Sequence, residues 1–174
     1  MRYLATWSRP DILNAVREVS RYLQAPTHEH YKAMIRIMDY CVSTADRGRK
    51  VSPAQRWDGT KEEVFVVSGT SDAAYNQCPD SRKSVSGNTT ELQGVPVITR
   101  SFMQDTRKLS VTEAELDSLV SNVQDMLFTR QVVESMGLQV ELPMVARSDC
   151  LAVIHMVNNW SVGGRTRHVA NKAM

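Results

Sequence analysis

A chain of 174 residues with 42% hydrophobic content and a formal net charge of +2 can bury one sizeable core and a smaller satellite of packed helices. No run of about 18 apolar residues occurs and the start MRYLATWSRPD lacks the features of a signal peptide, so a membrane span is excluded and the expectation is an intracellular, unexported protein. Cys41, Cys78 and Cys150 are odd in number and far apart, which fits neither a disulfide framework nor a paired-cysteine zinc site, and the mildly basic balance is compatible with a polyanionic partner without requiring one.

In chain order, Ser8 is expected to cap a helix with Pro10 and Asp11 in its first turn, and Ile12, Ala15, Val16, Val19, Tyr22 and Leu23 recur at helical spacing. Pro26 ends that run. Thr27 caps a second helix whose apolar stripe is Tyr31, Met34, Ile35, Met38, Cys41 and Val42, so residues 1–50 read as an antiparallel helical hairpin. Residues 51–61 are polar and irregular, a linker that places a domain boundary near residue 60. Beyond it, Val64–Val67, Val85–Leu92 and Val95–Met103 predict three strands of an antiparallel meander. Thr112–Met136 predicts a long helix with Leu116, Leu119, Val120, Val123 and Leu127 on one face and Gly137 past its end. Leu142–Ala146 predicts a further strand, leading through Ser148 and Asp149 into a short helix that carries Leu151, Ile154 and Val157.

Three acidic residues stand at element boundaries: Asp72 after the first strand, Glu115 in the first turn of the long helix, and Asp149 at the exit of the later strand. Carboxylates at strand exits can converge with one from a covering helix, and such a cluster binds hard cations through oxygen. Each residue also has a plain structural role. Thr112 and Glu115 have the spacing of a capping box, Asp149 has the place of an N-cap, and Asp72 in SGTSDAAYN suits a turn. Ser71, Ser110 and the four histidines form no pairing of nucleophile and base that spacing supports, with His28 and His30 at a helix start and His155 on an outer face. Arg165, Arg167 and His168 make a basic cluster that is either a solvated surface or a contact for phosphates.

The segments YLATWSRPDI, SGTSDAAYN, PDSRKSVSG, LSVTEAEL, ARSDC and GGRTRHV occur in this order between Tyr3 and Val169. They resemble the signature segments at the C-terminal end of copia-type retrotransposon polyproteins, which show T-R-P-D-I after a tyrosine, leucine and alanine, then S-D-A-D-W, D-D-R-K-S-T-S-G, S-S-T-E-A-E-Y, C-D-N and R-T-K-H-I-D.

The resemblance implies an α/β, ribonuclease H-like fold, a five-stranded mixed sheet in which a three-stranded antiparallel meander joins parallel strands, flanked by helices. Residues 1–50 would then be the helical connection that follows a reverse transcriptase, 51–61 the linker, and 62–174 the ribonuclease H-like domain. Such domains cut the RNA strand of an RNA/DNA hybrid by two-metal phosphodiester hydrolysis during reverse transcription. Carried over by position, Asp72, Glu115 and Asp149 are the catalytic acids and the ligands of two magnesium ions, with manganese as a substitute. Glu113 is expected to be a solvated cap residue. The implied partners are the hybrid and the reverse transcriptase part of the same polyprotein, in the cytoplasm or a virus-like particle.

The departures are specific. Ala170 stands where the family has its fourth acid, Cys150 where it has asparagine, and Ala74 and Tyr75 where it has aspartate and tryptophan. An alanine methyl cannot ligate a metal, so the second ion is expected to be weakened and cleavage reduced or lost. The other reading is a catalytically inactive ribonuclease H-like module that binds nucleic acid or serves as a structural subunit. The tail NKAM, where the family has a final helix, is expected to leave a sheet face to be covered by the hairpin or by a partner protein.

Overall fold

The N-terminal unit, Met1–Val51, consists of three helices in the computed structural model, which describes residues 1–159; a second unit begins at Ser52. Helix α1 is Arg2–Trp7, a single 3-10 turn at Pro10–Ile12 leads into α2, Leu13–Ser20, and α3 is His28–Ser43. Ser8 ends α1 instead of capping α2, and Arg9 occupies the cap position before Pro10. The reason is Arg9 itself. Its buried guanidinium grips the Asp11 carboxylate at 2.8 Å and reaches the Thr44 carbonyl at 3.0 Å and the Thr44 hydroxyl at 2.7 Å, tying the turn to the end of α3. The Tyr40 hydroxyl completes the network by donating to Asp11. This accounts for the SRPDI segment as a structural clasp, and the guanidinium holds the Asp11 carboxyl below its usual range.

The unit's core is Ala5, Ile12, Val16 and Ile37, with Leu13, Val19 and Cys41 packed around it. The face of α3 turned inward centres on Ile37, so Tyr31, Met38 and Val42 of the expected stripe are exposed instead of buried. At the start of α3 the Thr27 N–H donates to His30 Nδ1 at 3.0 Å, which gives that histidine a capping role.

In the second unit residues 52–63 carry neither helix nor strand. The expected strand Val64–Val67 divides into β1, Val64–Phe65, and the much longer β2, Val67–Ala74. Strand β3 is Val85–Leu92 and β4 is Val95–Met103. Helix α4, Val111–Ser135, follows, then β5, Gln139–Val140, β6, Val145–Arg147, and α5, Leu151–Asn159. One sheet has the order β4-β3-β2-β6, antiparallel except for the parallel pair β2 and β6, and β1 pairs with β5 in a separate parallel pair. The architecture is thus α/β with a mixed sheet, in four strands plus two instead of one sheet of five. The division falls at Val66, whose carbonyl accepts from the Gln93 N–H at 2.9 Å in the β3–β4 turn. Gln93 and Gly94 both have positive φ, the two-residue turn that matches strand twist.

The length of β2 was hidden by its composition. The run SGTSDAA lacks the alternation of a half-buried strand because α4 lies so close that only small residues fit beneath it. A Cβ on Gly69 would stand 2.0 Å from Asn122 Oδ1 and 2.6 Å from Met126 Sδ.

Helix α4 also presents an unexpected face to the sheet. Its buried positions are Glu113, Ala114, Glu115, Ser118, Asn122, Asp125, Met126, Thr129 and Val133, while Val120 and Leu127 of the expected stripe are exposed. The apolar residues run round the whole helix, so periodicity does not single out the side that is covered. A true apolar cluster forms where Val133 meets Phe65 and Leu138, with Leu92 and Val140 against it. Among the described residues no helix is long and apolar enough to cross a membrane.

Candidate metal centre

The three acids reach one place by three different routes. Asp72 lies within β2, two positions before its end, since the strand continues to Ala74. The parallel register sets Thr70 beside Arg147, the last residue of β6, so the chain leaves that strand next to Asp72 and reaches Asp149 two residues later. Glu115 projects from α4, the helix that covers β2.

The start of α4 decides which glutamate is free. The helix begins at Val111 with Ser110 as its cap, the Glu113 N–H donating to Ser110 Oγ at 3.1 Å. The Glu113 carboxylate in turn accepts from the Leu109 N–H at 2.7 Å. The helix is therefore capped by Ser110 with Glu113 bracing the preceding turn, not by Thr112 with Glu115, and Glu113 is buried instead of solvated. Glu115 falls in the second turn and has no capping duty. Asp149, for its part, lies two residues before α5, and Ser148 makes the local contact there by accepting from the Cys150 N–H at 3.2 Å.

Asp72, Glu115 and Asp149 each offer a carboxylate oxygen, and these oxygens lie within 4.8 Å of one another. Asp72 and Asp149 are exposed and Glu115 is buried, so the cluster has a closed inner side and an outer side open to solvent. Glu115 Oε2 is buried with no hydrogen-bond partner. Burial pushes the Glu115 carboxyl above its ordinary range against the pull of the Ala73 N–H, and the charges of Asp72 and Asp149 push the same way. An orphaned, buried carboxylate oxygen beside two further carboxylates is costly unless a cation neutralises it. The donor set is all hard oxygen, which fits magnesium or manganese and does not suit a soft metal.

The remaining candidates separate from this centre. Ser71 is buried, its hydroxyl 3.5 Å from the Arg147 carbonyl, and Ser110 is occupied as a helix cap. His28 and His30 belong to the N-terminal unit and His155 is exposed on α5. Arg165, Arg167, His168 and Ala170 lie outside the described residues. Sequence reasoning missed the buried polar layer beneath α4, in which Ser118, Asn88, Gln104 and Asn122 bridge helix and sheet. Helical spacing offered the one available signal, since Ser118 is three residues from Glu115 and shares its face.

Known proteins similar to this chain include retrotransposon Pol polyproteins and an effector protein. The chain is 26% identical over 170 residues to the Retrovirus-related Pol polyprotein from transposon RE2 of Arabidopsis thaliana, covering 98% of this chain and 11% of that protein. It is 27% identical over 169 residues to the corresponding protein from transposon TNT 1-94 of Nicotiana tabacum, covering 97% of the chain and 12% of that protein. It thus spans about a ninth of the length of these relatives. A third relative, the Secreted RxLR effector protein 161 of Plasmopara viticola, is 35% identical over 123 residues, which are 71% of this chain and 81% of that protein. No family model and no solved structure matches the chain.

Proposed function

Since this chain belongs to the copia-type retrotransposon Pol polyprotein family, of whose members it spans one region, we propose that its second unit is a ribonuclease H-like domain built to cut the RNA strand of RNA/DNA hybrids. The observation that carries this reading is the convergence of Asp72, Glu115 and Asp149, with one buried carboxylate oxygen left without a partner. These three residues would hold magnesium or manganese. Divalent cations in such a site supply the positive charge that activates water and stabilises the leaving oxygen of a phosphodiester.

The protein's own contribution is arrangement. Glu115 forms the inner wall, shielded from water by the packing of α4 on β2. Asp72 and Asp149 form the open rim, where a hybrid backbone has access. The reverse transcriptase part of the same polyprotein and the hybrid are the partners this reading entails, and residues 1–50 serve as the connection to that reverse transcriptase.

A second reading is favoured by two observations. Ala170 replaces the fourth acid that the resemblance leads one to expect, and most of the length of one relative, an effector protein by name, corresponds to this region. In that reading the domain is an inactive module that binds nucleic acid or serves as a structural subunit.

Incubating the purified chain with a labelled RNA/DNA hybrid in magnesium or manganese tests the proposal. Cleavage of the RNA strand that Asp72→Asn abolishes is the expected result, and Ala170→Asp is expected to raise the rate. Hybrid binding with a steep salt dependence and no metal-dependent cutting overturns the nuclease reading in favour of the second.

A further inference from the structure

A helix packed on a sheet ordinarily buries an apolar stripe, yet beneath α4 Ser118 and Asn122 are fully buried and Asn88 on β3 is 2% exposed. Buried polar groups of this kind persist where they are bonded, and Ser118 is bonded to the strand that carries Asp72. Its Oγ lies 2.8 Å from the Asp72 carbonyl oxygen and 2.8 Å from Asn88 Oδ1. A hydroxyl has one proton and cannot donate to both. Asn88 Nδ2 meanwhile is buried with no partner. Turning the Asn88 amide end for end resolves both difficulties: Nδ2 donates to Ser118 Oγ, and the hydroxyl proton goes to the Asp72 carbonyl. The bonds then run in one direction, from β3 through α4 to β2.

One peptide away, the Ala73 N–H pulls the Glu115 carboxyl down. Residue 72 is thus pinned to Ser118, which stands three positions from Glu115 on one face of α4. Sliding the helix along the strand would break the Ser118 bond in a buried setting, where a lost partner leaves an unsatisfied polar group.

We propose that Ser118 is a positioning residue of the metal centre: its hydroxyl fixes β2 against α4 so that the Asp72 and Glu115 carboxylates meet at the separation a divalent cation needs. The proposal rests on the metal-centre reading given above. Ser118 touches neither metal nor substrate and acts through the backbone of Asp72.

Calorimetric titration of the full chain with manganese separates the possibilities, each variant being measured well below its own thermal midpoint. Ser118→Ala is expected to weaken manganese affinity about ten-fold, the scale on which supporting contacts tune metal sites. Ser118→Cys, nearly isosteric and a weak donor, is expected to fall between the two, and it carries the test if the alanine variant fails to fold. Thr129→Ala is the control. Thr129 is buried on the same helix, but its hydroxyl donates to the Asp125 carbonyl of its own helix at 2.8 Å, so this variant should lose thermal stability and keep wild-type affinity.

Wild-type affinity in Ser118→Ala or Ser118→Cys, or an equal loss in Thr129→Ala, overturns the positioning role and leaves the metal centre standing. Absence of manganese binding by the unaltered chain, or binding that Asp72→Asn leaves unchanged, overturns the metal-centre reading and the positioning role with it.

Discussion

The Glu113 carboxylate accepts the Leu109 N–H at 2.7 Å, and this contact closes the N-terminus of α4 two residues before Glu115. The two glutamates of the TEAE segment therefore have opposite roles, one holding the helix and the other held by it. Glu113→Ala removes a buried cap and is expected to lower stability by about 1 kcal/mol while manganese affinity stays unchanged. Glu115→Gln is expected to do the reverse. It abolishes metal binding and, by removing a buried charge that two other carboxylates repel, raises metal-free stability at neutral pH by about 0.5–2 kcal/mol. Urea unfolding and calorimetric titration of the two variants check the pair, and loss of metal binding in Glu113→Ala with retention in Glu115→Gln contradicts the assignment.

Gly69 is the point of closest approach between β2 and α4. In Gly69→Ala the added methyl meets the Asn122 amide, which is held in place by donating to the Thr89 carbonyl at 3.2 Å and the Thr90 hydroxyl at 3.3 Å. Asn122 has to give up those bonds or the helix has to lift, at a cost of about 1–3 kcal/mol. Denaturant unfolding measures it. Lifting the helix also carries Glu115 away from Asp72, so metal affinity is expected to fall with stability, and a neutral substitution contradicts the packing described here.

Asp125 is a further buried carboxylate of α4, paired with Arg100 of β4 at 2.9 Å while its Oδ2 has no hydrogen-bond partner. Burial pushes this carboxyl above its ordinary value of 3.8, and the Arg100 guanidinium partly restrains it. A pKa that is higher in the folded chain favours folding in the protonated state. The contribution is full below the unfolded value and is lost as pH rises through the folded one. The stability difference between Asp125→Asn and the unaltered chain is therefore expected to shift in favour of the asparagine as pH rises from about 4 towards neutrality. Arg100→Ala, which removes the restraining charge, is expected to steepen the loss and to lower neutral-pH stability by about 1–3 kcal/mol. Urea midpoints across that pH range test this, and a pH-independent difference between Asp125→Asn and the unaltered chain contradicts it.

The three acids stood out in the sequence as residues near expected element boundaries, whereas the elements that bring them together did not. Asp72 reads as a turn residue when the strand around it is SGTSDAA, and the strand is recognisable once α4 is known to press on it at Gly69. The burial of Ser118, Asn122 and Asp125 runs against hydrophobic patterning, and the apolar stripe of Leu116, Val120 and Leu127 pointed to the other side of the helix. Local rules failed in the same way at Ser8, where the long-range bonds from Arg9 to Thr44 outweigh a good capping residue. The β3–β4 hairpin was read with its observed bounds because its two-residue turn is a local signal, whereas the first strand of the meander was placed at Val64–Val67 instead of Val67–Ala74.

The proposed nuclease chemistry requires Asp72, Glu115 and Asp149 to hold a divalent cation together. Crystals of the chain soaked in manganese and measured for anomalous scattering test this most directly. The expected result is a manganese peak within about 2.0–2.3 Å of a carboxylate oxygen of all three residues, lost in Asp72→Asn. A map with no peak among the three carboxylates, or with manganese bound elsewhere alone, contradicts it.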